Sequence, residues 1–208
     1  MNITTVCLSA LILFAFAGST AAQDRMPPIP ADKLTPAQKK AADELIAGPR
    51  GALVGPFIPL LRSPELMSRL QKVGEYVRYQ NSLGHKLTEF AIVITSRHWT
   101  QEFEWDTHYD LALKAGMDPE ILAAVREGRR PAAMPADVEV VYDFCTELQQ
   151  NQSVTDATYA RATKSLGEQG VIDLTATVGY YTVLAMILNV ARTPLPPGRS
   201  PGLASFPH

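Results

Sequence analysis

The sequence predicts an all-α fold in a single domain, on three observations. Apolar residues recur at steps of three and four along most of the chain, the period of an amphipathic helix. Helix starts are marked by Thr-Pro, Ser-Pro and Asp-Pro pairs at 35–36, 63–64 and 118–119, a capping residue followed by the one residue whose fixed φ suits the first helical position. No segment alternates polar and apolar residues between hairpin turns, and no repeat of solenoid length is visible. With 208 residues, 46% of them hydrophobic, the chain has enough for one sizeable core plus tails.

Residues 1–22 read as a signal peptide. An apolar run at 6–17 is followed by Gly18-Ser19-Thr20-Ala21-Ala22, small residues suited to cleavage. The run falls short of the about 20 apolar residues that a membrane-spanning helix needs. Retention as an N-terminal anchor is the alternative. Residues 23–50 comprise a polar, proline-containing leader, expected to be mobile, and a first helix from Pro36 to about Ala47 that stops at Gly48-Pro49. The main domain occupies 51–196. It opens with an apolar stretch, 51–61, that glycines and prolines break into an irregular buried connection. Ser63-Pro64-Glu65 starts the next helix by the same device as Thr35-Pro36, with Leu66, Leu70, Val73 and Val77 at helical spacing and Gly84 ending the region.

Residues 87–99 hold the continuous run Phe90-Ala91-Ile92-Val93-Ile94. Its β-branched content suits a strand, but its length and its helical neighbours favour a helix buried all round. Further helices are predicted over 101–115, ending at Gly116, and from Asp118-Pro119-Glu120 to Gly128. Three more follow over 135–150, 155–166 and 171–191, the last long and mostly apolar. Residues 197–208 complete a Pro- and Gly-rich tail expected to wrap the surface or a neighbouring subunit.

The formal net charge is −2 and the basic residues are scattered, so the chain lacks the basic face of a nucleic-acid binder. A signal peptide implies a periplasmic or secreted protein, with no stable membrane insertion once the signal is removed. Of the two cysteines, Cys7 falls in the signal and leaves Cys145 alone, so no internal disulfide is expected. Cys145 stands beside Phe144 on an amphipathic helix and reads as a buried, inert thiol.

The candidate site lies on the 101–115 helix. Gln101, Glu104, His108, Leu111 and Ala115 are spaced three or four apart and share a face. The apolar lower half of that stripe should point inward, which carries Gln101, Glu104 and His108 into the same interior. A polar trio there is costly unless it is hydrogen-bonded or used. Trp105, Tyr109 and Ala112 form the next stripe, placed to wall a pocket. Glu89 sits on the preceding buried helix, where an antiparallel pair would bring it towards His108. Such a group supports proton transfer, because histidine titrates near neutrality and a neighbouring carboxylate fixes its tautomer. A buried His–Glu pair that only staples two helices explains the same residues. A metal site built from Glu89, Glu104, His98 and His108 is a third reading, but no metal-ligand spacing supports it and none is expected. Arg97, His98 and Trp99 either line the mouth of the site or cap a helix end, whereas His85 and His208 read as surface residues. Phosphate-loop, dinucleotide-binding, nucleophile-elbow and zincin motifs are absent, and no cofactor is expected.

Several stretches together resemble one known family. They are Gly55-Pro56-Phe57 with 60–66, Leu87-Thr88-Glu89-Phe90-Ala91-Ile92, Arg97-His98-Trp99, and Glu102-Phe103-Glu104-Trp105-Asp106-Thr107-His108. Ala115-Gly116, Ile121 through Pro131, Gly179-Tyr180-Tyr181 and Asn189 through Pro196 continue the likeness. The sequence resembles the carboxymuconolactone decarboxylase and alkylhydroperoxidase D superfamily over about 51–196, in a Glu-Trp-x-x-His variant. The resemblance implies an all-α fold of helical hairpins that assembles as homo-oligomers, trimers or hexamers.

The alkylhydroperoxidase D branch carries a Cys-x-x-Cys pair ahead of its histidine. Placed on this chain, the pattern keeps Glu89 and His108, and puts Gln101 and Glu104 where the cysteines would be. Thiol peroxidase chemistry is therefore not expected. The decarboxylase branch uses neither cysteine nor cofactor. What it implies is acid–base chemistry on a small carboxylated or lactone-like substrate, with His108 as acid/base and Glu89 and Glu104 setting its charge. Arg97, His98, Gln101 and Trp105 are the expected substrate-contacting residues, with Arg97 holding a substrate carboxylate. A periplasmic binding or structural oligomer whose site has lost its chemistry is the alternative.

Overall fold

The structure, a computed structural model, describes residues 23–204. The segment expected to be a signal peptide, with Cys7, and the last tail residues, with His208, lie outside the described residues. Among the described residues all regular structure is helical, as expected. A 3-10 turn at Ala31–Lys33 is followed by α1 (Pro36–Ala47), α2 (Phe57–Leu60), α3 (Pro64–Tyr79), α4 (His85–His98), α5 (Glu102–Lys114), α6 (Pro119–Arg126), α7 (Ala136–Asn151) and α8 (Asp156–Ala191).

The helix starts follow local chemistry, with corrections. Thr35 and Gln38 form a reciprocal capping box, and Asp118 and Thr155 accept from backbone N–H groups in the first turns of α6 and α8. Ser63 precedes α3 without a side-chain capping bond, so Pro64 alone marks that start. Gly84 opens α4 rather than closing α3: its φ of 77° is a left-handed conformation that a side chain would resist. The helices expected at 155–166 and 171–191 are two arms of α8, joined at Gly167, where φ 72° and ψ 171° break the helical path.

Helix α4 is the axis of the fold and packs against α5, α7 and α8. Residues 87–97 are all buried, because two apolar clusters flank the helix. Phe90, Ala91, Val93 and Ile94 join the larger cluster with α5, α6, α7 and the first half of α8. Ile92 points the other way, into a cluster shared by α1, α2, α3 and Tyr180, Tyr181 and Leu184 of α8. This two-sided burial explains why the run is apolar without amphipathic interruption. Helix α8 is long and apolar enough to cross a membrane, yet 56% of its apolar window is buried inside the protein, the pattern of a core helix.

Both ends of the described residues are strapped down. In the leader, the Arg25 backbone N–H donates to the Ala191 carbonyl at 2.8 Å, and Arg62 donates to the Pro27 carbonyl at 2.7 Å. The expectation of a mobile leader is thus corrected for its described part, which docks at the C-terminal end of α8. In the tail, the N–H groups of Gly202 and Leu203 donate to Glu102 at 2.8 and 3.1 Å, while Arg199 donates to Asp110 at 3.0 Å. Leu203 is buried in the larger cluster, so the tail wraps its own α5.

Candidate functional site

Helices α4 and α5 bring Glu89 and His108 into contact. Glu89 lies three residues before Ile92 and shares its side of α4. His108 lies one turn after Glu104 on α5. The His108 Nδ1 stands 2.5 Å from Glu89 Oε2, and its Nε2 stands 3.2 Å from Glu104 Oε2. All three residues are buried, Glu89 completely. The Tyr181 ring meets the imidazole edge-on at 5.0 Å between centroids. Burial is the largest influence on the His108 imidazole and pulls its pKa down, but the hydrogen bonding and charge of Glu104 and Glu89 prevail and leave it raised. Burial likewise pushes Glu89 up, and His108, with Arg78 and His85 behind it, outweighs that and holds the carboxyl below its ordinary value. Both shifts favour the charged form of each partner.

A cavity of about 90 Å³ reaches His108 and Glu104, walled by Thr107, Phe103, Tyr181 and the two arginines Arg50 and Arg78. Glu89 is not on its wall. Nδ1 is held by Glu89, which lies off the cavity, and Nε2 stands beside Glu104, which lines it. The segment 51–56 forms one rim, brought close by Gly55: at φ 57°, a Cβ there would fall 2.4 Å from the Phe103 ring.

The other predicted site residues are placed elsewhere. Gln101 is the N-cap of α5, accepting from the Glu104 N–H at 3.0 Å and donating to Asn189 of α8 at 3.3 Å. It sets where α5 begins and does not line the cavity. The inward stripe runs through Glu104, His108 and Ala112, whereas Leu111 and Ala115 are only half-buried. Trp105 does not wall the cavity: one residue on from Glu104, it is turned about a quarter of the helix circumference away. There it packs against Tyr109, 5.5 Å between ring centroids, under Gly202 of the tail. Arg97 and His98 are likewise corrected. They line a separate recess with Arg129 and Tyr142 between α4, α6 and α7, and Arg97 donates to Thr100 at 3.4 Å.

Sequence reasoning missed Arg78, Arg50 and Tyr181. Arg78 Nε lies 3.7 Å from Glu89 Oε1, and the exposed His85 approaches the same oxygen at 3.8 Å. These groups come from α3, the loop after α1, and α8, so no local spacing connects them to His108. The one available signal was Gly179-Tyr180-Tyr181, noted without a role. Among the described residues, no group of three or more His, Cys, Asp or Glu side chains is arranged to hold a metal ion.

The model of the carboxymuconolactone decarboxylase family matches residues 64–141, from α3 into α7. Over that segment the chain is similar to the carboxymuconolactone decarboxylase family. Its fold is similar to the crystal structure of a protein of unknown function from Agrobacterium tumefaciens, described as a candidate antioxidant defence protein AhpD. The TM-score is 0.59 at 14% identity, over 66% of this chain and 94% of that one. No curated protein matches. Arg78, Glu89, Glu104 and His108 lie inside the segment that matches the decarboxylase family, whereas Arg50 and Tyr181 lie outside it.

Proposed function

We propose that the chain belongs to the carboxymuconolactone decarboxylase and alkylhydroperoxidase D superfamily and is a cofactor-free acid–base catalyst acting on a small carboxylated or lactone-like substrate outside the cytoplasm. The observation that carries the reading is His108, held between Glu89 and Glu104 and lining a cavity. Glu89 keeps the proton on Nδ1 and fixes the ring, the part of a positioning residue. Nε2–H is then the proton donor, with Glu104 beside it to share or restore the proton. In a decarboxylation, the bond from the substrate carbon to its carboxylate breaks and carbon dioxide leaves. The electron pair passes into a conjugated carbonyl, and the resulting enolate takes the proton from His108. Solvent returns a proton to the imidazole, which closes the cycle without an oxidant or reductant.

Thiol peroxidase chemistry is the less supported reading. Gln101 and Glu104 stand where the resemblance would place the redox cysteines. Cys145 is completely buried, and burial pushes its thiol up, away from the reactive thiolate. A non-catalytic binding role is the second reading, favoured by one observation: Glu89, Glu104 and His108 are each at most 3% exposed, as in a stapling network.

The test is a screen of small carboxylic acids and lactones by NMR, with carbon dioxide release monitored, on the wild type and His108→Gln. Turnover that collapses in the variant supports the acid–base reading. Turnover unaffected by the substitution removes His108 from the mechanism, and binding without any turnover favours the second reading.

A further inference from the structure

The cavity at His108 holds more unpartnered cationic and donor chemistry than the proton transfer uses. Arg78 Nε pairs in charge with Glu89 Oε1 at 3.7 Å, too far for a hydrogen bond, and among the described residues neither buried atom has a hydrogen-bond partner. Among the described residues Arg50 meets the Tyr180 hydroxyl, at 3.4 Å, and the face of Phe57, at 4.8 Å, and its buried Nε has no hydrogen-bond partner. The Tyr181 hydroxyl, on a residue 1% exposed, is a third buried polar group with no hydrogen bond. Buried polar groups are nearly always partnered, so three such residues on one small wall point to a ligand that completes them.

The charges point the same way. The cavity wall carries two guanidinium groups, Arg50 and Arg78, against one carboxylate, Glu104, an excess of positive charge before His108 is counted. Guanidinium forks match the paired oxygens of a carboxylate, and a tyrosine hydroxyl adds one more donor. The volume of about 90 Å³ equals about three waters of liquid, far below the about 300 Å³ at which drug-sized pockets begin. It therefore takes the head of a small molecule and leaves the rest at the rim formed by 51–56.

We propose that Arg50, Arg78 and Tyr181 form a seat for a single carboxylate, which holds the anionic end of the substrate beside His108. The identity of that end as part of a substrate rests on the acid–base reading above; the binding itself does not. Arg50 and Tyr181 come from either side of the family-matched segment, so this chain's own flanking parts set the specificity.

The test uses formate and acetate as probes and acetamide as the neutral isostere, at constant ionic strength. Binding is followed by the His108 ring resonances and by thermal shift. Saturable shifts with acetate but not acetamide are expected. Binding should be weaker by tenfold or more in Arg50→Gln and Arg78→Gln, partly restored by Arg50→Lys and Arg78→Lys, and unchanged in Arg129→Gln. The lysine variants keep the result readable should a glutamine variant fail to fold. Equal response to acetate and acetamide, or acetate binding that survives both glutamine substitutions, would overturn the seat. Acetate binding that persists in His108→Gln and is lost in Arg50→Gln supports the seat even when no His108-dependent turnover is found. His108-dependent turnover of neutral compounds without acetate binding overturns the seat and leaves the proton chemistry standing.

Discussion

At the scale of single residues, the proposed chemistry turns on His108, whose pKa two carboxyl groups hold above the ordinary value against burial. Its raised pKa has a stability consequence with a definite sign. The stabilisation is fully present below the unfolded histidine's ordinary 6.5 and is lost as pH rises through the higher folded value. Glu89 behaves oppositely: its lowered pKa contributes stability above the ordinary 4.5 that is lost as pH falls through the folded value. The two contributions overlap between 4.5 and 6.5, where the pair stabilises most. Imidazole titration by NMR should give His108 a pKa above 6.5 in the wild type and a lower one in Glu104→Gln. A wild-type value at or below 6.5 would mean that the imidazole rests as a neutral base. Glu89→Gln removes one half of a fully buried ion pair, beside Arg78. We expect it to destabilise the protein by about 3–5 kcal/mol at pH 6, measured by urea unfolding. A loss of under about 1 kcal/mol would show that the pair is worth no more than an ordinary exposed one.

At the scale of elements, the four-residue step from Glu104 to His108 was legible in the sequence because α5 is a single short helix with one inward face. The neighbouring stripe was misread, since periodicity reports that Trp105 is buried but not which side buries it; the tail does. Arg97 and His98 end α4 close in sequence to α5, yet that end faces α6 and α7, a matter of packing angle that spacing does not encode. Helix α8 carries the remaining element-scale expectation, of homo-oligomers. Its outward stripe includes Ile172 at 67% and Val190 at 58% exposure, five helical turns apart, with Met186 and Gly179 between them. Light scattering on the wild type should give a trimer or hexamer, and the double change Ile172→Glu with Val190→Glu should give a folded monomer. A wild-type monomer, or an assembly indifferent to both charges, would move the contact off α8.

At the scale of the whole molecule, the helical class and most helix positions were readable because capping pairs and apolar periodicity are local. The break at Gly167 was half readable, as two helices rather than one bent one. What stayed hidden was the convergence of α3, α8 and the 48–56 loop on one cavity, since those segments stand far apart in the chain. Cys145 illustrates the same division: its isolation is visible in the sequence, its complete burial only in the fold. With a dithiol reductant we expect no peroxide turnover above the uncatalysed rate. Robust turnover abolished by Cys145→Ala would contradict that expectation.

The tail's hold on Glu102 gives the protein an optical gauge of its own site. Trp105 sits one residue from Glu104 and is kept from water by Gly202 and Leu203, while Trp99 is anchored apart from it by its indole N–H to Thr182 of α8 at 3.2 Å. In a Trp99→Phe background, the remaining emission should come from a dry indole on the helix that carries His108. Truncation after Pro197 should redden and quench that emission, whereas acetate titrated into the intact chain should leave its colour unchanged. Colour would then tell a ligand entering by the 51–56 rim from one that must first peel the tail away.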